Sequence, residues 1–304
     1  MNVSIPWLFL VPTLIWGSTW LAITFQLGAI ASEVSVAYRF ALASLLLSAW
    51  CAATGRSLRF SLRNHGFLAA LGVTFFGLNY IAVYRAEEYL SSGLVAVLFS
   101  TMVFMSPVGM RIAYRTPLTI RALVAALFGV GGICLLFLPE LRLAQQGGAA
   151  AQGIAYALAG TLIAVGGNLI AVRNHRAGIP TFPGTAWGMA YGASTAAIAA
   201  MLAGTPWTFD TRAPYLLSLA YLAVFGSVVA FGAYLTLLKR VGAGPAAFIT
   251  VSTPVIAMLM STLFEGYRWT WTSALGVVLA VFGTWLALRP PASAAAKVDR
   301  ATAA

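Results

Sequence analysis

Apolar stretches of about twenty residues recur from one end of the chain to the other, separated by short polar breaks, and that rhythm decides the solvent. At 1.5 Å per helical residue such a stretch crosses a hydrocarbon core of roughly 30 Å. A helix also satisfies its backbone polar groups within its own segment, which lipid demands. Charged residues are 8% of the 304, against roughly 25% in a soluble domain, too few to cover a surface facing water. An all-α membrane protein follows. Punctuation by turns and charges predicts spans at 5–27, 33–53, 65–84, 89–111, 117–138, 152–172, 182–203, 214–238, 244–264 and 269–288. The first stretch lacks a basic leader and is too long for a cleaved signal peptide, so it is read as a retained span.

The formal net charge of +11 does not point to nucleic acid, because the basic residues lie in small groups between apolar runs rather than in a stripe. Alternate connections hold Arg56, Arg59, Arg63, Arg111, Arg115, Arg173, Arg176, Lys239, Arg240, Arg289, Lys297 and Arg300; the opposite set holds Arg85, Arg142, Arg212 and Arg268. That bias predicts both termini in the cytoplasm of a multi-pass protein of the inner (plasma) membrane. Cys51 and Cys134 both fall in apolar runs, which suggests packing rather than a disulfide framework or a metal cluster. Neither metal nor cofactor is expected.

Five spans in each half force the second half to run opposite to the first. Setting Leu90–Pro139 on Val241–Pro290 without gaps pairs Gly93 with Gly244, Thr119 with Thr270, Gly132 with Gly283 and Pro139 with Pro290. The chain therefore divides into a five-helix repeat at 1–143, an inverted copy at 144–290, and a disordered cytoplasmic tail at 291–304.

Trp16-Gly17-Ser18-Thr19 resembles the "WGS" signature of EamA-type members of the drug/metabolite transporter superfamily, and Arg39-Phe40 is similar to that family's "RF" element. Gly226-Ser227-Val228-Val229-Ala230-Phe231, Lys239-Arg240-Val241-Gly242-Ala243, Thr253-Pro254-Val255 and Glu265 resemble its eighth and ninth spans. The overall texture is most similar to the YddG-type aromatic amino-acid exporters. Two departures stand out: Ala113-Tyr114-Arg115 where the family often has Gly-Glu-Arg, and Gly166-Gly167-Asn168 where many relatives carry aromatics. The resemblance implies ten helices around a central cavity bordered by spans 1, 3, 4, 6, 8 and 9, working by alternating access. It also implies outward movement of amino acids or drug-like metabolites.

Polar side chains near the middle of spans are the candidates for solute contact, since lipid disfavours them unless they pair or line a watered cavity. They are Trp16, Ser18 and Thr19 in span 1; Asn79, Tyr80 and Tyr84 in span 3; Ser100 and Thr101 in span 4; Asn168 in span 6; Tyr234 in span 8; and Thr250, Ser252 and Thr253 in span 9. Each has a plainer reading as helix packing or back-bonding. Trp16 is preferred to Trp20 because it lies nearer mid-span. Pro107 and Pro254 each remove a backbone bond in repeat-related spans and mark candidate kinks or gates. Arg39 reads as a structural anchor, leaving a cavity without fixed charge.

Together these features predict a carrier of small amphipathic solutes, with membrane lipids as its surroundings. The rivals are a channel, an intramembrane enzyme, and a sugar- or nucleotide-type carrier of the same superfamily. No ring of charges supports a channel, and neither a zinc signature nor paired aspartates support an enzyme. With its acids in external loops or at span ends, the chain is expected to transport without protons.

Overall fold

A computed structural model describes residues 4–136, 138, 149–241 and 248–288. The tail at 291–304 and the side chain of Thr250 lie outside the described residues. The described chain is helical throughout: α1 (Ile5–Thr24), α2 (Ser32–Ala53), α3 (Leu62–Glu87), α4 (Ser92–Tyr114), α5 (Ile120–Leu136), α6 (Ala149–Arg176), α7 (Thr181–Leu202), α8 (Ala213–Tyr221, continuing to Val241), α9 (Phe248–Phe264) and α10 (Trp271–Leu288). Helices α1, α2, α3, α4, α6 and α8 are long and apolar enough to cross a membrane, and α5, α9 and α10 are shorter apolar helices. Large apolar side chains such as Leu45, Leu127, Leu263 and Phe264 stay exposed on their outer faces, an arrangement that suits lipid and not water. Cys134 is among these exposed positions, while Cys51 is buried as expected.

Helix ends follow backbone chemistry. Gly28, Gly55, Gly178, Gly204 and Gly266 take positive φ just past α1, α2, α6, α7 and α9, the left-handed turn that releases the chain after a last helical residue. At the end of α4 that conformation falls instead on Arg115, at φ 56°.

The bundle has two chemically distinct ends. Glu33, Glu87, Glu88, Asp210 and Glu265 gather at one, where Ser32 donates to Glu88 and the backbone and hydroxyl of Ser92 donate to Glu265. In the α7–α8 connection Arg212 donates to both Asp210 oxygens and holds that carboxyl below the usual range. The other end carries Arg173 over the Phe67 ring and Arg176 over Tyr114. There His65 is half-buried between Tyr191 and Trp187.

The most extensive helix contacts persist when the first five helices are exchanged for the last five. Helices α5 and α10, α2 and α7, and α4 and α9 pack on each other. Helix α3 meets α6 as α8 meets α1, and α1 meets α9 as α6 meets α4. Atomic detail repeats at the spacing of 151 residues that sets Leu90 on Val241. A Cβ on Gly132 would lie 2.5 Å from Ala280 N and 2.6 Å from Gly276 O; one on Gly283 would lie 2.6 Å from Ala125 O and Gly129 N. Thr119 Oγ1 caps α5 by accepting from Ala122 N, as Thr270 Oγ1 caps α10 by accepting from Ser273 N. Most tellingly, α3 and α8 each contain a π-helical stretch, at Gly72–Leu78 and Leu222–Val229, and adding 151 to the first lands it on the second. The left-handed Arg115 likewise falls on the left-handed Gly266.

Candidate functional site

The π stretch of α3 ends at Asn79, whose backbone N–H bonds Thr74 O, five residues back. The wider turn leaves Asn79 and Tyr80 on the inner wall, and such local departures from α geometry often mark functional positions. Gly160 of α6 has no side chain at this level, so Asn79 backs directly against that helix. Asn79 is 1% exposed; its Nδ2 donates to Phe75 O, and its Oδ1 has no hydrogen-bond partner.

Asn79 lines a cavity of about 50 Å³ together with Thr19, Trp20 and Ile23 of α1, Arg39 of α2, Tyr80 and Val83 of α3, and Phe99 of α4. The cavity lies toward the acidic end of the bundle. Trp20 and Phe99 form its aromatic wall, with ring centroids 5.4 Å apart.

Arg39 corrects the sequence reading most. It lines the cavity and gives it a fixed charge. The residue is 2% exposed, and its guanidinium lies over the Tyr80 ring at 4.7 Å and near the Phe40 ring at 5.2 Å. Nη1 makes a long 3.4 Å contact to the Tyr84 hydroxyl, which itself donates to Gln26 Oε1 at 2.7 Å. Nε has no partner, and among the described residues Arg39 forms no ion pair. Glu33, six residues earlier, is taken by Arg85 at 2.8 Å. The π faces and the tyrosine hydroxyl offset only part of what a guanidinium loses in leaving water.

The remaining candidates divide into two other places. Trp16 faces α8, donating from Nε1 to Gly226 O at 3.1 Å and packing its ring on Phe231 and Tyr234. Ser18 is shared between Leu14 O and the Tyr221 hydroxyl at the same junction. Between α4, α9 and α10, Ser100 and Pro254 border a small gap with Val97, Val277, Ala280, Val281 and Thr284. Ser100, Thr101 and Thr253 back-bond to Val97, Leu98 and Ile249 carbonyls. Asn168 Nδ2 donates to Met102 Sδ at 3.3 Å, tying α6 to α4; Ser252 is partly buried on α9. Of the two glycines before Asn168, Gly167 packs on Phe75 and Thr74, while Gly166 faces open space.

The prolines behave unequally. Helix α4 is interrupted at Thr101, six residues before Pro107, with three-residue bonds from Thr101 N to Leu98 O and from Phe104 N to Thr101 O. Helix α9 runs through Pro254 without interruption.

Thr19, Asn79 and Tyr80 are therefore brought together, Tyr84 stands behind them as Arg39's support, and Trp20, Phe99 and Arg39 are wall residues that the sequence reading passed over. Trp20 was one helical turn from the preferred Trp16, a distance at which only the packing decides which faces inward.

The sequence model of the EamA-like transporter family matches this chain twice, at residues 4–138 and 151–289. The chain belongs to the EamA-like transporter family. Its two matches coincide with the two exchangeable halves of the bundle. Across 94% of its length the chain is 25% identical to Protein PagO of Salmonella typhimurium, of which it covers 93%. A solved crystal structure aligns over 92% of this chain and 94% of its own with a TM-score of 0.65 and 18% identity, a likeness of fold alone. The chain is thus a multi-pass membrane transporter of the drug/metabolite superfamily, its cargo a small molecule and its surroundings lipid.

Proposed function

We propose that this transporter carries small amphipathic solutes with a carboxylate, aromatic amino acids above all, by alternating access. All ten helices cross the inner membrane as two inverted five-helix repeats, with both termini cytoplasmic. The twelve-to-four distribution of basic residues supports that orientation, and the exchangeable packing and paired π stretches support the repeats.

The observation that carries the solute class is that one aromatic cavity is lined by both Arg39 and Asn79, each of which has a buried polar atom without a partner, Nε and Oδ1. Left dry, such groups cost free energy. A zwitterionic amino acid answers both, its carboxylate on the guanidinium and its ammonium donating to the amide oxygen. A solute ring laid against Trp20 and Phe99 adds offset or edge contacts. At about 50 Å³ the cavity holds a water or two and no ring, so the described state is contracted. Loading requires the α1 wall to separate from α3 and α4, the motion alternating access supplies. The π stretches and the Thr101 break are the points where the helices bend.

Counterflow in proteoliposomes tests this directly. Labelled phenylalanine should equilibrate faster when unlabelled phenylalanine is trapped inside, saturate with concentration, and be competed by other aromatic amino acids but not by sugars or nucleotides. Flux that never saturates would instead favour a channel, and competition by sugars or nucleotides would overturn the solute class.

A further inference from the structure

Glu87 closes α3 at the acidic end, just beyond the cavity, and plays no part in the solute reading above. Its side chain is 6% exposed, and neither carboxylate oxygen has a hydrogen-bond partner. The acids around it are all provided for. Glu33 takes the Arg85 fork, Glu88 shares Arg85 and accepts from Ser32, and Glu265 accepts from the backbone and hydroxyl of Ser92. The charged and titratable groups that act on Glu87 are Arg39 from α2, Glu265 from the end of α9 and Tyr84 from its own helix. Arg39 and Glu265 act with opposite sign.

We propose that Glu87 is a proton-binding site whose occupancy is linked, through Arg39, to the solute in the cavity. A bare carboxylate with two dry oxygens beside a second carboxylate is poorly tolerated at this burial; a proton removes the charge and the repulsion together. Arg39 is the countervailing influence, and it also lines the cavity. A solute carboxylate that settles on Arg39 neutralises the charge that favours ionised Glu87, so Glu87 keeps its proton. When the solute leaves, the guanidinium again favours the ionised form, so that Glu87 keeps its proton in only part of the molecules. Solute and proton therefore bind in concert, and by linkage each strengthens the other. This departs from the proton-independent transport expected from the sequence, which places the acids in external loops or at span ends. The linkage rests on the cavity reading; the proton site itself does not.

Infrared spectra of the purified protein in lipid nanodiscs separate the two. At neutral pH the wild type should show the carbonyl band of a neutral carboxylic acid, absent in Glu87→Gln, shifted in Glu87→Asp and retained in Glu88→Gln. Wild-type spectra without that band, or a band that survives Glu87→Gln in folded protein, would overturn the proton site. Should Glu87→Gln fail to fold, an unshifted band in Glu87→Asp would do the same. Adding phenylalanine should increase the band and take up protons from a weakly buffered solution. Phenylalanine that binds with no change in either would overturn the linkage alone. If phenylalanine does not bind at all, the cavity reading and the linkage fall together, while the band still decides the proton site.

Discussion

Substituting alanine for Gly283 tests the exchangeable architecture at its tightest point. The new methyl would stand 2.6 Å from Ala125 O and Gly129 N, both backbone atoms of α5 that have nowhere to rotate. Ordinary contact begins near 3.4 Å, so α10 must back away by roughly 0.8 Å along this seam, forfeiting close packing of two backbones that lipid cannot replace. Overpacking of this kind costs about 1–3 kcal/mol. Gly132→Ala presents the same clash from the other helix, against Ala280 N and Gly276 O. Its cost should match that of Gly283→Ala within about 1 kcal/mol, the ordinary scatter of such substitutions. Gly131, one residue away with nothing within 4 Å of an added Cβ, is the control. Replacing it with alanine should be neutral, or stabilising by up to about 1 kcal/mol from helix propensity. Unfolding by sodium dodecyl sulfate in mixed micelles reads all three. If Gly283→Ala and Gly132→Ala are as stable as Gly131→Ala, the close approach of α5 and α10 is wrong. If one is severe and the other silent, the two-fold relation of the halves is wrong.

Arg115→Gly should stabilise the protein by about 1 kcal/mol in the same assay, because glycine accepts the left-handed turn that arginine occupies under strain; an equal or lower stability would refute the strain. Trp16→Ala should lower folded stability by about 3 kcal/mol or more through loss of the ring contacts to Phe231 and Tyr234 and the bond to Gly226 O. Asn79→Ala should fold to a normal yield yet weaken phenylalanine counterflow several-fold, since Asn79 lines the cavity and its buried amide oxygen has no partner. Unchanged counterflow in folded Asn79→Ala would exclude that amide from solute contact.

The helices were legible because lipid makes apolar length decisive: nearly every expected span overlaps its helix to within a turn. The residue pairs Thr119–Thr270 and Gly132–Gly283, matched in the sequence, are helix caps and close seam contacts respectively. The site was less legible. Depth along a helix can be counted from the sequence, but the face toward the cavity depends on the neighbours and, in α3, on a π stretch that resets the register after Gly72. Trp16 and Trp20 share a helix face, yet one meets α8 and the other the cavity. Arg39 reads from the sequence as a structural anchor because a lone intramembrane charge is usually disfavoured; rings and a tyrosine hydroxyl hold it at the cavity wall. The span expected from the sequence ends at residue 84 and leaves Glu87 on the external side, whereas α3 runs one turn further and carries the carboxyl inside.

Solute selection turns on Arg39 meeting a carboxylate, and the sharpest measurement compares counterflow of phenylalanine with that of phenethylamine, which keeps ring and ammonium but has no carboxylate. A hydrogen-bonded contact to a charged group is worth about 1.5–3 kcal/mol. Wild type should therefore prefer phenylalanine by roughly ten-fold or more. Arg39→Gln should erase the preference and Arg39→Lys restore part of it, in protein that folds and elutes normally. Equal flux of the two compounds through the wild type, or a preference that persists in Arg39→Gln, would contradict the claim.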